Sequence, residues 1–127
     1  MSNLTAQQVY EQTRSSYGRK AQIGTYSGLS NAEINDNARK SIGVGCMLIQ
    51  TEGVNALPQK KQSELREAVE NFNTFTQDND PNGEHDFGSI EKNGEKYFWK
   101  FDDYGENYKE NGATHRLVLT IMRADEY

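Results

Sequence analysis

The chain has 127 residues, 14 Lys and Arg against 19 Asp and Glu, a net charge of -5 and 34% hydrophobic residues, which fits one small, polar, folded domain. No apolar run reaches the roughly 20 residues that cross a bilayer, the opening MSNLTAQQVYEQ lacks the basic-then-apolar pattern of a secretory leader, and one cysteine, Cys46, excludes an internal disulfide and a thiolate-rich metal site. The expected compartment is therefore the cytoplasm, and the acidic balance disfavours direct nucleic-acid binding through a basic face.

Residues 1–29 read as an N-terminal helix and arm. Thr5 and Gln8 suggest a capping box for a helix over 4–17, with a thin apolar stripe of Leu4, Val9, Tyr10 and Tyr17. Gly18 to Gly28 reads as a loop. Residues 30–127 read as a single α+β domain. Ser30 and Glu33 have capping-box spacing, and Ile34, Ala38 and Ile42 share one helical face before Gly43. A strand is predicted from Val44 to Thr51. Its apolar residues fall on both sides, which suggests a central or doubly covered strand. Cys46 within it reads as a small buried hydrophobe. Glu52-Gly53 reads as a turn.

Pro58 opens the strongest predicted helix, along which Leu65, Ala68, Val69, Phe72 and Phe75 make an apolar stripe. Asn93-Gly94 is a two-residue hairpin signal between Phe87–Lys92 and Glu95–Phe101. That turn pairs Lys92 with Glu95, Glu91 with Lys96 and Ile90 with Tyr97, and the first two pairs have opposite charge. Ile90, Tyr97, Trp99 and Phe101 then share one face, and Phe87 and Phe98 the other. Residues 102–115 are polar and expected to be exposed, and Arg116 to Met122 is the last strand. The expected fold is α+β: a mainly antiparallel sheet of about four strands packed against two or three helices.

Residues 78–88 stand out: Asp78-Asn79-Asp80-Pro81-Asn82-Gly83-Glu84-His85-Asp86-Phe87-Gly88. Between 78 and 110 there are ten acids and four bases, a local charge of -6, so the rest of the chain is near neutral. Asp78, Asp80, Asn82 and Gly83 match the opening of a calcium loop, with Asp86 as a further ligand. Ser89 stands where that loop needs a bidentate Glu, and no helix follows. No cofactor is expected beyond a divalent cation at Asp78, Asp80, Asn82 and Asp86. Glu84, His85 and Asp86 are residue types suited to acid–base work or metal-assisted hydrolysis, with His115, Asp102 and Asp103 as possible neighbours. Adjacent residues on an extended chain point to opposite sides, which separates His85 from Glu84 and Asp86. The competing reading is structural: Asp and Asn cap turns, and Pro81, Gly83 and Gly88 shape the backbone. Trp99, Tyr97 and Phe98, if exposed, would form a stacking platform for single-stranded nucleic acid, and otherwise the core.

Three stretches carry a family resemblance: Thr51-Glu52-Gly53-Val54-Asn55-Ala56-Leu57-Pro58, the run Asn79 to Gly88, and Leu119-Thr120-Ile121-Met122-Arg123-Ala124-Asp125-Glu126-Tyr127. Tyr97-Phe98-Trp99-Lys100-Phe101-Asp102 adds to it. Over about residues 30–127 the chain resembles the DUF3768 family, small bacterial and mobile-element proteins of undetermined function. The segment before Thr114 departs from that family's usual Asp/Pro-containing spacer. The family name implies no activity; the favoured reading is a small accessory protein that binds another macromolecule, most simply a protein, and the mobile-element setting that the resemblance implies suggests an inhibitor of a host defence complex. Its expected contact is an acidic face of Asp78, Asp80, Glu84, Asp86, Asp102, Asp103 and Glu106. The alternatives are a divalent-metal-dependent hydrolase or nuclease centred on Glu84, His85 and Asp86, and single-stranded nucleic-acid binding by exposed aromatics.

Overall fold

In the computed structural model, which describes residues 28–127, helix α1 (Asn31–Arg39) begins where the sequence predicts. The expected helix over 4–17 lies outside the described residues. Ser30 Oγ accepts from the Glu33 N–H at 3.1 Å, and Glu33 Oε1 accepts from the Ser30 N–H at 3.0 Å. This reciprocal cap satisfies two N–H groups that a helix start leaves unpaired.

Strand β1 (Met47–Gln50) is shorter than predicted and lies at a sheet edge. The Val44 and Gly45 N–H groups both donate to the Ser41 carbonyl, and Gly43 N–H donates to the Cys46 carbonyl. A tight turn therefore uses the backbone groups that a longer strand would need. Val44 is left 80% exposed and Ile49 40%, which corrects the expectation of a central or doubly covered strand. Cys46 is fully buried, as expected; burial pushes its thiol up, against a backbone hydrogen bond from Gly43.

A short helix, α2 (Glu52–Asn55), stands where a simple turn was expected. Helix α3 (Gln59–Glu70) follows, with Pro58 at its N-cap. Leu65 and Val69 on α3 are buried. The helix stops at Glu70, so Phe72 and Phe75 reach the same core from the chain beyond it. Gln62 on α3 is buried too. Its Nε2 donates to the carbonyls of Asn55 at 3.1 Å and Leu57 at 2.8 Å, which ties α3 to the exit of α2.

Strands β2 (Phe87–Lys92) and β3 (Glu95–Asp103) form the predicted hairpin in the predicted register. Asn93 and Gly94 adopt φ of 52° and 80°, the left-handed pair that a type I′ turn requires. β3 runs past Phe101. Asp102 and Asp103 pair with Val118 and Leu117 of strand β4 (Leu117–Arg123) and are buried. The 102–115 segment is therefore not exposed throughout.

The sheet order is β1-β4-β3-β2, with β1 parallel to β4 and the other two pairings antiparallel. Four strands and three helices give the expected α+β fold. One face packs Tyr97, Trp99, Phe101, Leu119 and Ile121 against Ile34 and Ala38 of α1, Val54 of α2, and Leu65 and Val69 of α3. A second cluster joins Phe87, Phe98, Met122 and Ala124. The split of the hairpin aromatics between these clusters follows the predicted alternation.

Trp99 is fully buried, and Gly88 lies beneath its indole. A Cβ at position 88 would stand 2.2 Å from Trp99 Nε1. Gly88→Ala is expected to cost about 1–3 kcal/mol through overpacking. Urea denaturation followed by tryptophan fluorescence checks this. Wild-type stability in that variant would contradict the close approach.

Candidate functional site at the 76–88 loop and helix α1

The loop after α3 folds around its own side chains. Asp80 N–H donates to the Thr76 carbonyl at 2.8 Å, Thr76 N–H to Asn79 Oδ1 at 2.8 Å, and Asn79 Nδ2 to the Thr74 carbonyl at 2.8 Å. Asp80 is 8% exposed, and its Oδ1 accepts from the N–H groups of Glu84 at 3.0 Å and His85 at 3.3 Å. That carboxylate holds His85 at φ 54°, a backbone conformation that side-chain-bearing residues rarely adopt.

Helix α1 supplies the other half of the site. Asn31 Nδ2 donates to Glu84 Oε1 at 3.2 Å, and Asn35 Nδ2 donates to the Glu84 carbonyl at 2.8 Å. His85 Nδ1 lies 2.9 and 3.0 Å from the two Asp36 oxygens. Ionised Asp36 only accepts, so Nδ1 carries the hydrogen in this contact. His85 Nε2 faces Asp80 Oδ2 at 3.6 Å, and the imidazole stacks on Phe75 with centroids 3.8 Å apart and planes 3° from parallel.

Asp36 also meets Arg39 Nη2 at 3.0 Å. The Arg39 side chain is 2% exposed. Its Nη2 donates to the Phe72 carbonyl at 2.9 Å, and the guanidinium carbon lies 5.3 Å from the Phe75 centroid and 5.0 Å from that of Trp99. Burial weakens the guanidinium's hold on its proton, and the Asp36 carboxylate partly offsets this.

Glu84 and His85 thus take different partners on α1, while Asp86 is buried beside β2 with its carbonyl accepting from Phe101 N–H at 2.9 Å. Of the proposed cation ligands, Asp80 is turned into its own loop, Asp86 is buried, and Asp78 and Asn82 lie at the surface. Among the described residues, no group of three or more His, Cys, Asp or Glu is arranged to hold a metal ion. His115 Nδ1 pairs with Thr114 Oγ1 at 3.1 Å.

The expected acidic face needs correction. Asp80, Glu84, Asp86, Asp102 and Asp103 are buried, and only Asp78 and Glu106 of the seven acids are exposed. Asp102 pairs with Lys100 Nζ at 3.0 Å. Asp103 accepts from Arg116 Nε at 2.9 Å and from Gly105 N–H at 2.8 Å. Burying unpaired carboxylates would be costly, and Asp80, Glu84, Asp102 and Asp103 each meet a donor. Tyr97, Phe98 and Trp99 are at most 5% exposed, which leaves a base-stacking platform without its rings.

Asn31, Asn35, Asp36 and Arg39 did not emerge as site residues from the sequence. The signal for them was a polar stripe of Asn35 and Arg39 directly beside the apolar pair Ile34 and Ala38.

This arrangement defines a class: a small α+β unit whose polar loop is held shut against a neighbouring helix. The model of the DUF3768 family, described as a protein of unknown function, matches residues 50–126, and the chain belongs to that family. No curated protein and no solved structure matches it. The match is shorter than the expected 30–127, and α1 lies before it.

Two of the three family stretches meet at Glu126. Its carboxylate accepts from Thr51 Oγ1 at 2.6 Å, Gly53 N–H at 2.7 Å and Arg123 N–H at 2.9 Å. Burial acts to raise the Glu126 carboxyl, but the hydrogen bonds from Thr51, Arg123 and Gly53 together hold it below its ordinary value.

A lowered carboxyl stabilises the fold above its unfolded value, and the contribution disappears as pH falls through the folded one. Glu126→Gln is therefore expected to lower Tm at neutral pH, and the gap to wild type should shrink below the ordinary glutamate range. A pH series of thermal melts tests this; a gap that widens in acid would contradict it. In the loop, Asp80→Ala leaves two backbone N–H groups without their acceptor and should cost about 1–3 kcal/mol. Exposed Asp78→Ala should stay within about 0.5 kcal/mol of wild type. Equal urea midpoints for the two variants would refute the capping role.

Proposed function

We propose that this chain acts by binding another protein rather than by catalysis, and that the apolar end formed by Leu29, Val44 and the cleft between α1, the 41–45 turn and the start of β4 makes the contact. The observation that carries this reading is Val44, 80% exposed on a hydrogen-bonded turn. A bulky apolar side chain held in water by a fixed turn suits insertion into a partner. Beside it is a cleft of about 200 Å³ lined by Leu29, Ile34, Ala38, Gly45 and Leu117 together with the polar Asn37 and Ser41. Leu29 and Ile49 are each 40% exposed at this end of the molecule or along the β1 edge.

The loop chemistry supports the same reading. Glu84 and His85 would have to leave α1 before acting on a substrate or metal as a hydrolase. No helix among the described residues is long and apolar enough to cross a membrane. We place the protein in the cytoplasm, in keeping with its single buried thiol. Inhibition of a host defence complex is the narrower form of this reading, with Asp78 and Glu106 as exposed acids for its rim.

Affinity capture from the native host tests the contact. Val44→Asp is expected to keep wild-type Tm and to weaken capture of a specific partner at least about tenfold, as for an interface hot spot. Capture unchanged by Val44→Asp but lost on Asp78→Lys with Glu106→Lys would move the contact to the acids and overturn the apolar assignment.

A further inference from the structure

We infer that the rings of Phe75 and Trp99, with the Phe72 carbonyl and Asp36, form a guanidinium-binding cage, filled in this chain by its own Arg39 and refillable from solution once that side chain is removed. This site is independent of the apolar contact at Val44. These two rings and that of Phe72 stand nearly at right angles to one another. Phe72 and Phe75 are 5.0 Å apart at 71°, Phe72 and Trp99 5.4 Å at 75°, and Phe75 and Trp99 6.2 Å at 89°. The cage thus presents ring faces to a planar cation from more than one direction. The Arg39 carbon lies within cation–π distance of two of them.

The polar edge is equally specific. Nη2 meets the Phe72 carbonyl at 2.9 Å and Asp36 at 3.0 Å, one neutral and one charged acceptor on a single nitrogen. Nε and Nη1 have no conventional acceptor, although the side chain is 2% exposed. Ring faces are the partners left to them, which suits a delocalised, weakly hydrated guanidinium. An ammonium is more strongly hydrated and concentrates its charge at one point. An apolar side chain would leave the Phe72 carbonyl and Asp36 without this donor. His85 stacks on Phe75 and holds Asp36, so the cage is also supported from the loop.

The sequence match covers only the part of the site that lies after α1. Phe72, Phe75 and Trp99 fall inside the matched stretch 50–126, and Arg39 falls before it. Asp36, the charged acceptor, also falls before it, so α1 supplies both the guanidinium and its carboxylate.

Trp99 is the only tryptophan, so its emission reports occupancy directly. Arg39→Ala is titrated with methylguanidinium chloride, with methylammonium chloride at equal ionic strength as control and wild type as the filled cage. Trp99 emission in the variant is expected to return toward wild type, with half-saturation at about millimolar concentration, well within the limit for so small a ligand. Tm should rise in parallel, while wild type shows no saturable change. Equal responses to both cations, or no response to either, overturn the proposal. If Arg39→Ala does not fold, Arg39→Lys decides. A lower Tm with altered Trp99 emission supports a guanidinium-selective cage, and a variant indistinguishable from wild type overturns it.

Discussion

A guanidinium almost fully removed from water sets the terms for one end of this molecule. Taking a cation out of water costs several kcal/mol unless its surroundings replace the lost hydration. Arg39 receives a carboxylate from its own helix, a carbonyl from the chain after α3, and two aromatic faces. Each of these has to be placed by something else. Asp36 is shared with His85, His85 stacks on Phe75, and Trp99 fits its strand only because residue 88 is glycine. The buried charge therefore couples α1, the loop and the hairpin into one interdependent set.

That coupling accounts for most of the Gly-Glu-His-Asp-Phe-Gly run in structural terms. Glu84 anchors Asn31 and Asn35, two of the three asparagines of α1, through its side chain and its carbonyl. His85 bridges the carboxylates of Asp36 and Asp80. Phe87 enters the second apolar cluster, and Gly88 admits the indole. Glu126 does similar work for the other family stretches, fastening the chain end to the start of α2. In each case the residue meets a backbone or packing requirement set by another element.

The parts legible in the sequence were those set by local chemistry. The Ser30 cap and the Asn93-Gly94 hairpin depend on neighbours within a few residues, so both the α1 start and the β2–β3 register could be read directly. The β1 boundary could not be read, because apolar residues at 44–49 suit a strand or an exposed turn equally well. Only the competition for backbone hydrogen bonds around Ser41 separates the two. The site was half legible. The loop announced itself by composition, but its partners on α1 lie about fifty residues away, and a polar stripe on a helix ordinarily faces water. Asp102 and Asp103 were misjudged for the same reason, since only the pairing of β3 with β4 and the approach of Arg116 make their burial tolerable.

The acidity of residues 78–110 consequently has a different meaning from the one its charge suggests. A local charge of -6 would repel other acids and attract basic partners if it were displayed. Five of the ten acids, Asp80, Glu84, Asp86, Asp102 and Asp103, are instead buried within the fold, and only Asp78, Glu91, Glu95, Glu106 and Glu110 are exposed. Substituting the buried carboxylates would disturb loop and helix before any partner was lost, so a loss of binding there would not locate an interface. Val44 has no such structural debt: its side chain is mostly in water and its backbone bonds survive substitution. Substitution at residues of that kind leaves the fold's contacts in place, and substitution in the charged motif does not.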